Sequence, residues 1–286
     1  MIEISSELYP NLLKNIYDPP HRLFYRGNLD LLNKSAISIV GTRSYSEYGK
    51  SVCKKIIEEL SILDIVIVSG LAIGIDAIAH SEALKNGLPT IAVLGSGINN
   101  IYPVANAGLA EKISNRGLII SEYPGSTEAQ KYHFPKRNRI VSGLSIATLV
   151  IEAPLKSGAL ITARMALEQG REVFVVPGDI EKKNSEGILD LLQKGGAYPI
   201  KSGREIIELL NLVPAKKPKL TEVSPLLKLN NLEKLVIASI SAFRKTSISQ
   251  VLKKTGLSIE QILSILSILE VKGLIRNLDG KYLRLI

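Results

Sequence analysis

One cysteine, Cys53, in 286 residues leaves no partner for an intrachain disulfide. The chain is therefore not a disulfide scaffold, and its thiol usage suits a reducing compartment. The three histidines, His21, His80 and His133, stand far apart, and with one thiol they do not make the four clustered ligands of a structural zinc site. No metal is expected. Met1-Ile2-Glu3-Ile4 lacks a basic n-region, so no signal peptide is expected. One stretch, residues 61–79, is apolar enough to resemble a membrane span, but Asp64, Gly70, Gly74 and Asp76 interrupt it. A buried strand followed by a loop is the better reading, and a cytoplasmic location without membrane contact is expected.

Catalytic signatures are absent too. There are no paired carboxylates, no nucleophile elbow and no readable Ser/His/Asp order; Glu152 follows a strand but has no partner at a general-base spacing. Gly49-Lys50-Ser51 ends like a P-loop, yet Ser44 stands where that motif needs its first glycine, and Lys50 falls inside a helix. Gly95-Ser96-Gly97 has Asn100 where a dinucleotide fingerprint needs its last glycine or alanine, so a tight turn is expected there. These absences exclude ATPase chemistry at the first loop and a classical dinucleotide reader; no catalytic residue and no cofactor are expected.

What the chain does have is positive charge. Lys and Arg total 36 against 27 acids, for a net charge of +9, which points to a polyanionic partner. With 45% hydrophobic and 22% charged residues the composition is globular. Three prolines and three lysines between Val213 and Pro225 oppose regular structure. Residues 213–225 are read as a linker between a domain at 1–212, whose first 34 residues pack on it as an extension, and a small domain at 226–286.

Before the linker, short apolar runs alternate with helix-spaced segments: 36–40, 65–68, 90–94, 118–120, 147–151 and 173–176 are expected strands. Residues 46–60 and 76–86 are expected helices, the second stopped by Gly87. The runs are continuously apolar, which means burial on both faces. The expected fold is α/β, a Rossmann-like, doubly wound, mostly parallel sheet. After the linker, Asn230 with Glu233 and Ser258 with Gln261 form capping boxes. Ser247 caps a short helix ending near Gly256, and Asp279-Gly280 joins two strands in a hairpin. Three helices and a hairpin describe a winged-helix domain.

In an open parallel sheet, ligands bind beyond the carboxyl ends of the strands. Gly41-Thr42-Arg43 after the first run and Lys156-Ser157-Gly158 before a helix suit a phosphate. Ser69-Gly70 opens a glycine-punctuated loop that reads equally as close strand–helix packing or as an amide nest for phosphate. From Lys131 to Arg139, cations alternate with aromatic rings, the pattern single-stranded nucleic acid needs: cations for phosphates, rings for unpaired bases. Within it Lys131, Phe134, Arg137 and Asn138 are the candidates. The helix from Ser258 to Lys272 is poor in groove-reading side chains, so its domain is expected to modulate assembly or add non-specific affinity.

Gly41-Thr42-Arg43, the run from Ser69 to His80, Phe134-Pro135-Lys136-Arg137-Asn138-Arg139 and the run from Lys156 to Arg164, in this order, resemble the bacterial DNA-processing protein A family (DprA, also called Smf). Residues 18–27 and Val176-Pro177-Gly178 match it as well, so the likeness runs from about Tyr9 to Leu210. It implies a Rossmann-like, homodimeric single-stranded DNA-binding protein of natural transformation that protects incoming strands and helps load the RecA recombinase. By position it assigns Arg43 and Lys131 to phosphates and Phe134 to a base. A rival reading, a nucleotide phosphoribohydrolase of the lysine-decarboxylase-like type, needs a Pro-Gly-Gly-x-Gly-Thr signature that residues 156–162 do not carry.

Overall fold

A computed structural model describes residues 1–214, 229–240, 246–272, 274–278 and 280–284. The chain divides into two compact units, Met1–Lys217 and Pro218–Ile286. Most of the expected linker, from residue 215 onward, lies outside the described residues.

The first unit is built on one sheet. Its strands are β1 (Ile2–Glu3), β2 (Arg22–Gly27), β3 (Ala36–Val40), β4 (Val66–Ser69), β5 (Thr90–Leu94), β6 (Leu118–Ser121), β7 (Ala147–Val150), β8 (Glu172–Val175) and β9 (Tyr198–Pro199). Their spatial order is β1-β2-β6-β5-β4-β3-β7-β8-β9. From β6 to β9 every pairing is parallel; β2 joins β6 antiparallel and β1 joins β2 antiparallel. The first 34 residues thus do more than pack on the domain, because they extend its sheet.

Burial on both faces explains the continuous apolar runs. Along β3, Ala36 and Val40 enter one core with Val66, Val93 and Val150, while Ile37 and Ile39 enter the other with Ile67, Leu149 and Phe174. Helices cover both sides: His133–Gly143 and Gly158–Glu168 supply Ile140, Val141, Leu160 and Ala163 to the first core. Glu47–Leu60 and Ile75–Lys85 supply Ile56, Leu60, Ile75 and Ala79 to the second. The span-like stretch becomes β4, a loop and the start of the Ile75–Lys85 helix. Among the described residues no helix is long and apolar enough to cross a membrane. Strand order reverses at β3, whose neighbours β4 and β7 lead the chain in opposite directions across the sheet. That is the switch point of the fold.

The second unit has helices Asn231–Ser239, Ile248–Thr255 and Ile259–Val271, with β10 (Thr246–Ser247), β11 (Ile275–Leu278) and β12 (Lys281–Arg284). The three strands form an antiparallel sheet in the order β10-β12-β11. Each helix opens with a complete capping box, on Asn230, Ser247 and Ser258. Val236, Val251, Ile262, Leu266, Leu269 and Tyr282 fill its core. The hairpin's Asp279 lies outside the described residues.

One buried imidazole makes the first unit's stability sensitive to acid. The His80 Nδ1 stands 2.7 Å from the Thr90 hydroxyl, which itself donates to the Ile67 carbonyl. Burial, with the Arg137 charge adding to it, pushes His80 down to about 3. The unfolded chain, with an ordinary imidazole near 6.5, binds a proton that the folded chain refuses. Stability should therefore fall as pH drops from about 6.5 toward 3, by up to about 1.4 kcal/mol per pH unit from this group. Urea unfolding at pH 6.5 and 4.5 should cost the wild type about 2 kcal/mol more than it costs His80→Gln; equal losses in the two proteins contradict the assignment.

Candidate nucleic-acid interface

Three loops at the carboxyl ends of β3, β4 and β7 meet above the switch point, and an internal carboxylate fastens two of them. Glu152, just past β7, accepts the Ser46 amide at 2.9 Å, the Ser46 hydroxyl, and the Asn184 side-chain amide at 3.3 Å. Its carbonyl takes the Thr42 amide at 2.8 Å. Glu152 is buried and committed to holding the Gly41–Ser46 turn, which accounts for its lack of a proton-transfer partner.

The loop after β4 is held in the same way. Asp76 turns back from the start of its helix to accept the Gly70 amide at 3.1 Å and the Ala72 amide at 3.4 Å. The amide nest that could have taken a phosphate is thus occupied by the protein's own carboxylate. Burial pushes the Asp76 carboxyl up, and the Arg137 charge and the two amides oppose that push. Gly74 makes the return possible: its φ is 97°, and a Cβ there would meet the Thr42 carbonyl oxygen at 2.4 Å.

The stretch from Lys131 to Arg139 becomes a helix from His133 on, packed on one face of the sheet, and this divides its cations into two kinds. Arg137 is 4% exposed; its guanidinium donates to the Gly70 carbonyl at 2.6 Å, to the Val93 carbonyl, and through Nε to Asn138 at 3.2 Å. Burial pushes Arg137 down to about 10, against the opposing pull of Asp76, so it remains charged at neutral pH. Arg139 pairs with Asp18 at 2.9 Å and Glu122 at 2.6 Å. Asn138 spends its amide on the Gly158 carbonyl at 3.2 Å. Arg137 thus gives Nε and Nη1 to protein acceptors and Arg139 is held in two ion pairs, so both are anchored to the fold, while Arg137 still lines the cleft. Lys131 and Lys136 of the run are exposed, Lys136 pairing with Glu122 at 3.6 Å, and Arg43 and Lys156 on the neighbouring loops are exposed as well.

These pieces enclose a cleft of about 650 Å³. Gly41, Thr42, Arg43, Gly70, Lys131, Phe134, Arg137, Asn138, Lys156, Ser157 and Gly158 all line it. Ser69 does not: it is fully buried beneath the floor, and its hydroxyl donates to the Ile39 carbonyl at 2.6 Å. Arg43 lies over the Phe134 ring, its guanidinium carbon 5.9 Å from the centroid, within range of a cation–π contact. The Phe134 ring seats against Gly95, where a Cβ would approach it to 2.8 Å. Tyr102 was not among the sequence candidates, yet it lines the cleft with its ring 5.6 Å from that of Phe134. Its signal was its place just beyond β5, at the carboxyl end where ligands are sought. Among the described residues no group of His, Cys, Asp and Glu could hold a metal ion.

Fold and cleft together define a Rossmann-like protein with an anion-ready, ring-bearing cleft at the switch point of its sheet. Residues 1–211 match the model of the DNA recombination-mediator protein A family, and the chain belongs to that family. It is 46% identical to DNA processing protein DprA of Bacillus subtilis over 222 residues, 77% of this chain and 73% of that protein. It is 38% identical to protein Smf of Escherichia coli over 289 residues, spanning this whole chain and 77% of that one. Among solved structures, DprA from Streptococcus pneumoniae superposes with a TM-score of 0.70 at 44% identity, covering 74% of each chain. DNA processing protein A from Helicobacter pylori, whose structure addresses its single-stranded DNA binding mode, gives a TM-score of 0.67 at 33% identity, covering 73% of this chain and 98% of that one.

The division of cations has a measurable consequence. Arg137→Ala leaves the Gly70 and Val93 carbonyls without their donor and removes the positive charge near Asp76, and should cost about 1–3 kcal/mol of stability. Lys131→Ala, at an exposed site, should stay within about 0.5 kcal/mol of wild type. Chemical denaturation checks both, and an Arg137→Ala protein as stable as wild type contradicts the anchoring role.

Proposed function

We propose that this chain binds single-stranded DNA in the switch-point cleft and acts as a non-catalytic recombination mediator. In this reading it protects incoming strands during natural transformation and helps load the RecA recombinase, working as a homodimer in the cytoplasm. The observation that carries the reading is the placing of three exposed cations, Arg43, Lys131 and Lys156, around the Phe134 ring in one cleft. Cations track a phosphate backbone and a ring takes an unpaired base; bases in a duplex present no free face to it. The acid that lines the cleft favours the same partner, because Asp76 is buried and bonded to backbone amides, and nearby Glu152 is buried and bonded in the same way. Membership of a recombination-mediator family and the single-stranded DNA binding of the Helicobacter pylori relative support it further.

In the second unit, three capped helices and an antiparallel hairpin support a winged-helix reading. Its longest helix exposes Ile259, Glu260, Gln261, Leu263 and Ile268, and no cation lies among them. A groove-reading helix wants free Arg, Lys, Asn or Gln side chains at its start; Gln261 is committed to the capping box with Ser258, so we assign this unit to assembly or to non-specific affinity rather than to sequence reading.

Gel shifts with single- and double-stranded 20-mers across a salt series test the cleft. Three neutralised phosphates give a log–log slope of about −2 on single strands, at roughly −0.7 each. Arg43→Ala and Lys131→Ala should each weaken binding on every sequence and flatten the slope by about 0.7. Equal affinity for duplex, or slopes that the substitutions leave untouched, would refute the reading.

A further inference from the structure

Beyond Phe134 the cleft changes character. A narrow extension of about 40 Å³ opens from it, lined by Ile73, Tyr102 and Pro103 together with Arg43 and Phe134. Ile73 is 50% exposed and Tyr102 46%, and Val104 beside them is 76% exposed. Large apolar side chains left in water side by side at the rim of a ligand cleft mark a contact surface.

The mounting of this wall is rigid. Leu71, fully buried, holds a left-handed backbone with φ of 58°, a strained conformation for a bulky side chain. Its carbonyl accepts the Asn106 side-chain amide at 2.9 Å, which ties the loop after β4 to the loop after β5. Ile73 and Tyr102, one on each of the two tied loops, both line the extension. Thr42, Lys156 and Ser157 line the main cleft and not the extension, and Arg43 lines both.

Resting on the single-stranded DNA reading above, we propose that Tyr102 and Ile73 form a second base-stacking wall. The cleft then sorts the strand by chemistry: its backbone follows Arg43, Lys131 and Lys156, one base meets Phe134, and the neighbouring base leaves that ring for the Tyr102–Ile73 wall. The ring separation of 5.6 Å at a 46° tilt is too narrow for a base between Tyr102 and Phe134, so the two rings serve successive bases rather than clamp one. A wall of this kind is indifferent to base identity, since every base has a π face.

Binding of a labelled thymidine 20-mer and of an abasic 20-mer, each across a salt series, tests the proposal. Tyr102→Ala and Tyr102→Leu should weaken the thymidine 20-mer roughly 5- to 100-fold, the scale of one lost base–ring contact. The salt slope should be unchanged, because no phosphate contact is lost, and affinity for the abasic 20-mer should match wild type. Undiminished thymidine binding, an equal loss on the abasic strand, or a flattened slope each overturns it. Tyr102→Leu keeps the wall apolar, and its melting temperature should equal that of wild type; should Tyr102→Ala unfold, the Leu variant decides alone. Arg43→Ala is run in parallel. If Arg43→Ala loses affinity while the Tyr102 variants keep it, the second wall is wrong and the cleft stands; if Arg43→Ala binds as wild type does, the cleft reading itself falls.

Discussion

A charged arginine buried under the ligand cleft is the constraint from which the rest of the site follows. Removing a guanidinium from water is costly unless its donors are met and its charge is balanced. Arg137 satisfies this with the Gly70 and Val93 carbonyls, Asn138 and the field of Asp76. Asp76 in turn holds the Gly70 and Ala72 amides. The ends of β4 and β5 and the His133–Gly143 helix are thereby locked to one another before any ligand arrives. Preorganisation of this kind reduces the ordering that binding would otherwise require.

The lock also decides which charges remain for a partner. Asp76 and Glu152 are spent on loop amides, and Arg137 and Arg139 are anchored to protein acceptors. Arg43, Lys131 and Lys156 stay in solvent at the rim. The internal carboxylates thus take the loop amides that a phosphate would otherwise bind, and the outward-facing cations are left unmatched within the cleft. An excess of nine positive charges over the whole chain steers a polyanion toward such a site without specifying its sequence.

Much of the fold was legible because its signals are local. The apolar runs of β3, β4, β5, β6, β7 and β8 need two buried faces, and Gly87, Asn230, Ser247 and Ser258 announce helix ends through capping chemistry that acts over a few residues. The antiparallel edge was not legible: β1 has two residues and β2 reads Arg-Leu-Phe-Tyr-Arg-Gly, with only Leu23 fully buried. The two-residue β9 offers no periodicity at all. In the site, motif spacing brought the right loops together, but it did not distinguish Arg137 from Lys131. That distinction depends on the Gly70 and Val93 carbonyls, far away in the chain. Ser69 failed as a candidate for a related reason, since the last residue of a central strand points its side chain by register and not by loop chemistry. Tyr102 was missed because its aromatic neighbour, Phe134, is on another element.

Cross-linking in solution addresses the central claim most directly. A single-stranded 20-mer carrying 5-iodouracil, irradiated in complex with the full chain and mapped by mass spectrometry, should attach to Phe134 and to residues of the loops after β3 and β4. Cross-links confined to the second unit, or to the edge of the sheet at β1 and β2, would show that the strand does not lie in the switch-point cleft.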